Sequence, residues 1–245
     1  MRGALHLAVG LASVLGAACY QPSIPAGVPC SRSGECPGGE ACVAGICGGP
    51  GIGGDAAGPI DVPPGTTVVV VGLDRSELAD TEISLPEPGT NLGTQDHFSV
   101  DDGESGLLAF DLSKVPAGLT VTKATLRVTT TDNASADGGT VLIYRMLERW
   151  EELTATWMVR TSTQTWSAAG AKPPSREADP IAELRPTRLL TPYDVPIPPA
   201  VVEGWRADPS TNHGLVFVRG TSTQHVHLAA RDAGLWSTLT LELRP

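Results

Sequence analysis

Residues 107–157 restrict the fold more than any other part of the chain. Leu107-Leu108-Ala109-Phe110 is an apolar run that gives way to Asp111-Leu112-Ser113-Lys114-Val115-Pro116. A β-branched run follows at 121–128, where Leu126 and Val128 fall on one face while Thr125 and Arg127 take the other. That period of two marks a half-buried strand. Val141-Leu142-Ile143-Tyr144-Arg145 comes next, then Trp150-Glu151-Glu152 and Thr156-Trp157.

The same texture extends from residue 66 to the end. Val68-Val69-Val70-Val71, the alternating Asp80-Thr81-Glu82-Ile83-Ser84-Leu85, and His97-Phe98-Ser99-Val100 precede these runs. Leu215-Val216-Phe217-Val218, Val226-His227-Leu228-Ala229 and Leu239-Thr240-Leu241-Glu242-Leu243 follow them. Many short strands divided by turn signals about every 8–12 residues predict an all-β sandwich of jelly-roll type. One short helix interrupts it. Pro198-Pro199 suits a first helical turn, and Val201, Val202 and Trp205 share one side. Residues 158–192, with Pro173, Pro174, Pro180, Pro186 and Pro192, read as a long surface excursion. The expected core is Phe110, Leu112, Leu126, Val128, Leu142, Trp150, Trp157, Trp205, Leu215, Phe217, Leu239 and Leu241.

Residues 1–18 read as an export signal. Met1-Arg2 is a minimal basic start, and the apolar stretch at 4–15 is about 12 residues long, short of the ~20 needed to span a bilayer. Gly16, Ala17 and Ala18 precede Cys19, which resembles a bacterial lipobox. The departure is Gly16, where that motif usually carries Leu. Lipidation of Cys19 leaves Cys30, Cys36, Cys42 and Cys47, an even number, and every cysteine of the chain lies in this segment. Residues 19–47 are too poor in large apolar side chains to build a core, so two disulfides are expected to staple them. Three connectivities are open, and a zinc site is the alternative to disulfides. Residues 48–65, rich in Gly and Pro, read as a flexible spacer. The implied location is the outer membrane or cell surface, with a lipid anchor in the membrane.

A net charge of −10 argues against a nucleic-acid partner. It also weighs against a densely anionic polysaccharide unless the fold gathers a local basic patch. No G-x-S-x-G or H-E-x-x-H motif is present, and Glu148, Glu151 and Glu152 do not by themselves make the facing carboxylate pair of a glycosidase. The chain is therefore read as non-catalytic.

The pieces Asp80-Thr81, Asn91-Leu92-Gly93, Phe110-Asp111-Leu112-Ser113, Ala124-Thr125-Leu126, Trp150-Glu151 with Thr156-Trp157, Trp205, Asn212-His213-Gly214-Leu215 and Ala230-Arg231-Asp232 occur in an order that resembles the DNRLRE family. These are bacterial secreted β-sandwich domains, some of them carbohydrate-binding modules, including alginate binders. Ala230-Arg231-Asp232 departs from that family's usual Ser-Arg-Glu. The Cys-rich segment is similar to short modules near the N-terminus of myxobacterial lipoproteins. The resemblance implies the fold, an extracellular role and polysaccharide as the ligand class. It assigns no sugar-binding residue. A structural or adhesion lipoprotein with a protein partner is the other reading.

Trp150, Trp157 and Trp205 sit on the shared motifs and read as packing residues. Trp166, Trp236 and Tyr193 lie outside them and are the candidates for a sugar-stacking platform. The acidic turn of Asp101, Asp102 and Glu104 is a candidate Ca²⁺ site, with a solvated turn as the alternative. No other cofactor is expected. His225 and His227 project from one strand face, but as a metal pair they need further ligands that the sequence does not supply.

Overall fold

The computed structural model describes residues 63–131, 139–221 and 225–245, with the backbone of 42–43 and 46–47. The chain forms two units, Met1–Ile60 and Asp61–Pro245. In the first, β1 (Cys42–Val43) pairs antiparallel with β2 (Ile46–Cys47), placing Cys42 opposite Cys47 in the backbone register. The export signal, Cys19, Cys30, Cys36 and the sulfur chemistry of the four later cysteines lie outside the described residues.

The second unit is an antiparallel sandwich. One sheet has the order β12 (Pro192–Ile197), β7 (Thr120–Thr129), β15 (Thr238–Arg244), β3 (Thr67–Val71). Leu126 and Val128 are fully buried, and Leu239, Leu241 and Leu243 point the same way from β15. The outward positions carry Arg127, which forms a bidentate pair with Asp194, and Lys123, paired with Glu242. A bulge near Glu242 and Leu243 shifts the register past Thr122, so that Val121 turns inward and Thr122 does not.

The facing sheet has the order β11 (Ala182–Leu184), β8 (Val141–Arg145), β13 (Leu215–Arg219), β6 (Glu104–Phe110), β4 (Leu78–Ser84). Its strands are apolar on both faces. Leu108, Phe110, Ile143, Leu215 and Phe217 meet the first sheet, while Ile83, Leu107, Tyr144 and Val216 point away from it. An apolar outer face must be covered. Residues 147–181, including β9 (Val159–Thr161) and β10 (Gln164–Thr165), do this with Trp150, Trp157, Trp166 and Ala171.

This corrects the expectation for 158–192. The proline-rich stretch is not a surface excursion, because it buries the second apolar cluster and supplies β9 to β12. Eleven of the twelve expected core side chains are buried, and Leu142 is half-buried against the outer cluster.

Two smaller elements complete the core between the sheets. Helix α1 (Pro199–Ala207) starts with Pro199 in its first turn and buries Val202 and Trp205 in the inter-sheet core. β5 (His97–Val100) pairs with β14 (Val226–Ala229) as a separate ribbon. It directs Phe98, Val100, Val226 and Leu228 into the core, with Phe98 against Phe217. Among the described residues no helix is long and apolar enough to cross a membrane.

Candidate functional site

The segment that covers the outer sheet stops short of one end. There the sheet surface and the covering segment bound an open groove of about 570 Å³. Ser105 of β6 and Val218 of β13 form its floor, and Arg219 at the end of β13 borders it. Trp157, Gly170, Lys172 and Arg176 form one wall, and Leu85 with the Asp101–Gly103 turn forms the other. Ser105 shares a strand face with Leu107, and Val218 with Val216, so the floor continues the second apolar cluster into solvent.

Each groove side chain has a local cause for its position. Gly170 has φ +74°, and a Cβ there would sit 2.5 Å from the Trp157 ring, so only glycine lets the indole lie flat against the wall. Lys172 opens the turn closed by Ser175 N–H donating to Lys172 O at 2.8 Å. Its Nζ stands 5.6 Å from the Trp157 ring centre. The Arg176 guanidinium lies 3.6 Å over Tyr144. Among the described residues neither Lys172 nor Arg176 makes an ion pair. Arg219 donates to Asp101 Oδ1 at 3.0 Å. Three cations against Asp101 and Asp102 give this groove a positive balance, in a chain with 27 acidic and 17 basic residues.

The acidic turn is present, as a two-residue Asp102-Gly103 hairpin with Gly103 at φ +89°. It does not gather carboxylates for Ca²⁺. Asp101 is engaged by Arg219 and by His225 Nδ1 at 2.8 Å. Burial pushes its carboxyl up, but these bonds and the Asp102 backbone hold it below the usual range. Glu104 is pushed up by burial, with Glu82 and Asp101 adding to the effect. Among the described residues no three His, Cys, Asp or Glu side chains are placed to hold a metal.

The expected aromatic platform does not assemble. Trp166 is 5 % exposed, packed in the outer cluster, and donates Nε1–H to Thr156 O at 2.9 Å. It is covered because the outer sheet face needed a lid. Trp236 and Tyr193 pack half-buried against the other cluster, between the sheets. Trp236 lies under Arg75, while the Tyr193 hydroxyl accepts from the Thr187 and Arg188 backbone. Trp157, read as packing from sequence, is both: it is buried, and it lines the groove.

A second constellation joins three of the motif pieces, at Asp80, Asn91 and Arg231, through Glu152. Asp80 Oδ2 accepts from Arg231 N–H at 2.7 Å, and the Arg231 guanidinium meets Glu152 Oε1 at 2.9 Å and donates to Leu78 O at 3.0 Å. Glu152 Oε1 also accepts from the Asp80 backbone at 3.3 Å. Asn91 Nδ2 donates to Glu152 O and Ala155 O, both at 2.8 Å. Asp80 is 2 % exposed, and burial pushes its carboxyl up to about 6 against the pull of Arg231. These contacts lock strand β4 to the covering segment and to the turn after β14. Glu148 is likewise spent inside the fold, accepting from Ser167 and facing Arg160.

A larger cleft, about 1040 Å³, lies beside α1. Its Arg206 is bound to Leu119 O, Pro116 O and Glu203, and its Trp205 is buried in the core. Its charged groups hold the helix in place, which makes it the weaker ligand site.

No curated protein matches the chain. Residues 74–178 match the family model of carbohydrate-binding module family 96. That match spans β4 to β10 and most of the groove lining, from Asp101 to Arg176, and supports a carbohydrate-binding module on an all-β sandwich.

Proposed function

We propose that the chain is a non-catalytic glycan-binding module whose ligand lies in the groove between the Asp101–Gly103 turn and the Lys172–Arg176 wall, and that it takes sugars bearing carboxylates. The observation that carries this is Lys172 and Arg176, two cations held over aromatic rings in an open groove, neither of which makes an ion pair among the described residues. A sugar carboxylate supplies the missing anion, and an Arg fork binds it in bidentate fashion. The Trp157 edge and Val218 offer apolar contact for the C–H face of a ring. The family match over 74–178 supports the ligand class. Retention of the full chain on immobilised polyuronates, set against neutral dextran and cellulose, tests the reading. Retention on none of them refutes it.

The N-terminal segment supports a tethered display of this module. In this reading Cys19 carries the lipid, Cys30, Cys36, Cys42 and Cys47 are oxidised, and 48–65 holds the sandwich away from the outer membrane. Cys19→Ser is expected to move the protein from the membrane to the soluble fraction; a mature terminus with unmodified Cys19 contradicts it.

A further inference from the structure

His97, His225 and His227 form a row on the outward face of the β5–β14 ribbon. His97 and His227 stack with ring centres 4.5 Å apart and planes at 20°. His225 and His227 lie 5.6 Å apart. The two ends of the row are held by carboxylates: His97 Nδ1 faces Asp96 Oδ1 at 2.6 Å, and His225 Nδ1 faces Asp101 Oδ2 at 2.8 Å. Asp101 accepts from groove residue Arg219 through its other oxygen. One carboxylate therefore belongs to both the row and the groove.

We propose that this row is an acid-responsive element of the groove, tightening its hold on a carboxylated glycan as pH falls through the imidazole range. The proposal rests on the groove reading above. With His225 neutral, the single negative charge of Asp101 faces one full cation, Arg219. Protonated His225 makes a second claim on that charge, so the potential at the groove rises. Imidazoles ordinarily titrate near 6.5, and the contacts linking the row to Arg219 are shorter than the ~8 Å screening length at physiological salt.

The charged groups facing the row are Asp96, Asp101, Glu104 and Arg219. Asp96 and Asp101 are the anions in contact with His97 and His225. Glu104 is pushed up by burial and by the nearby Glu82, Asp101 and Glu87. His227 opposes the acid response in part. Burial and the adjacent His97 and His225 hold it below its ordinary value, and its Nδ1 is buried without a hydrogen-bond partner among the described residues.

The test is isothermal titration of the full chain with sodium polygalacturonate at pH 7.5 and 5.5 and fixed ionic strength, a range over which the ligand's carboxylates stay ionised. The wild type should bind about 5-fold or more tightly at pH 5.5, the scale of an ordinary coupling. His225→Gln, at an exposed position outside the groove, should bind like wild type at pH 7.5 and lose most of the gain. Asp101→Asn should already bind tightly at pH 7.5 and respond less to acid. Binding that is independent of pH, or a full acid response in both variants, overturns the inference and leaves the groove reading standing. Absence of binding at both pH values overturns both.

Discussion

Trp166→Ala separates a buried lid from an exposed platform. The indole is 5 % exposed among Trp150, Trp157, Tyr144 and Ala171, and its Nε1–H donates to Thr156 O. Truncation removes nearly the whole side chain from a packed site, where Trp→Ala changes cost about 3–5 kcal/mol. It also leaves the buried Thr156 carbonyl without that donor. For a domain of this size each kcal/mol lowers Tm by roughly 2–4 °C, so a fall of about 6–20 °C is expected by calorimetry. Polyuronate affinity, measured well below the new Tm, should change little, since Trp166 does not line the groove. A Tm within about 2 °C of wild type together with lost glycan binding would refute the packing argument.

Arg231→Met should cost about 2–4 kcal/mol in urea unfolding, because it strands the Glu152 carboxylate and the Leu78 carbonyl, while Asp80 keeps the backbone N–H of residue 231; a loss below 0.5 kcal/mol would show that the lock is ornamental. Asp80 gives a pH signature. Its folded value of about 6 exceeds the ordinary 3.8, so the stability from this group is full below about pH 4 and is lost as pH rises through 6. The shift is equivalent to about 3 kcal/mol. Asp80→Asn should remove that decline between pH 4 and 6 from the Tm profile, and an unchanged profile would assign the decline elsewhere.

The sandwich was legible because its signal is local. Alternation in residues 121–128 and 239–243 needs only neighbours to be read, and Pro198-Pro199 announces a helix start within two residues. The lid was not legible. Whether a proline-rich stretch is solvated or pressed onto a sheet depends on the other face of β6, β8 and β13, where runs such as Leu107-Leu108 are apolar on both sides. The apolar runs were visible, but their burial on both faces and the segment that covers them were not. Trp166 was misread for that reason. The groove cations come from the covering segment and from the end of β13, joined only by tertiary structure, so the sequence could state the need for a basic patch without locating it. Likewise the motif pieces at Asp80, Asn91 and Arg231 were seen as an order, without the ion-pair network that joins them through Glu152. His97 joins His225 and His227 only because β5 pairs with β14.

The central claim is that Lys172 and Arg176 read a carboxylated glycan, and charge reversal at Lys172 tests it most directly. Lys172 is exposed and makes no ion pair among the described residues, so Lys172→Glu should move Tm by no more than about 2 °C, as surface changes do. In titration calorimetry with polyuronate at low salt, affinity should fall about 10-fold or more, with the difference shrinking as salt is raised. Weak binding to any neutral glycan should be unaffected. Unchanged polyuronate affinity in this variant, with the fold intact, would contradict the account and move the ligand out of this groove.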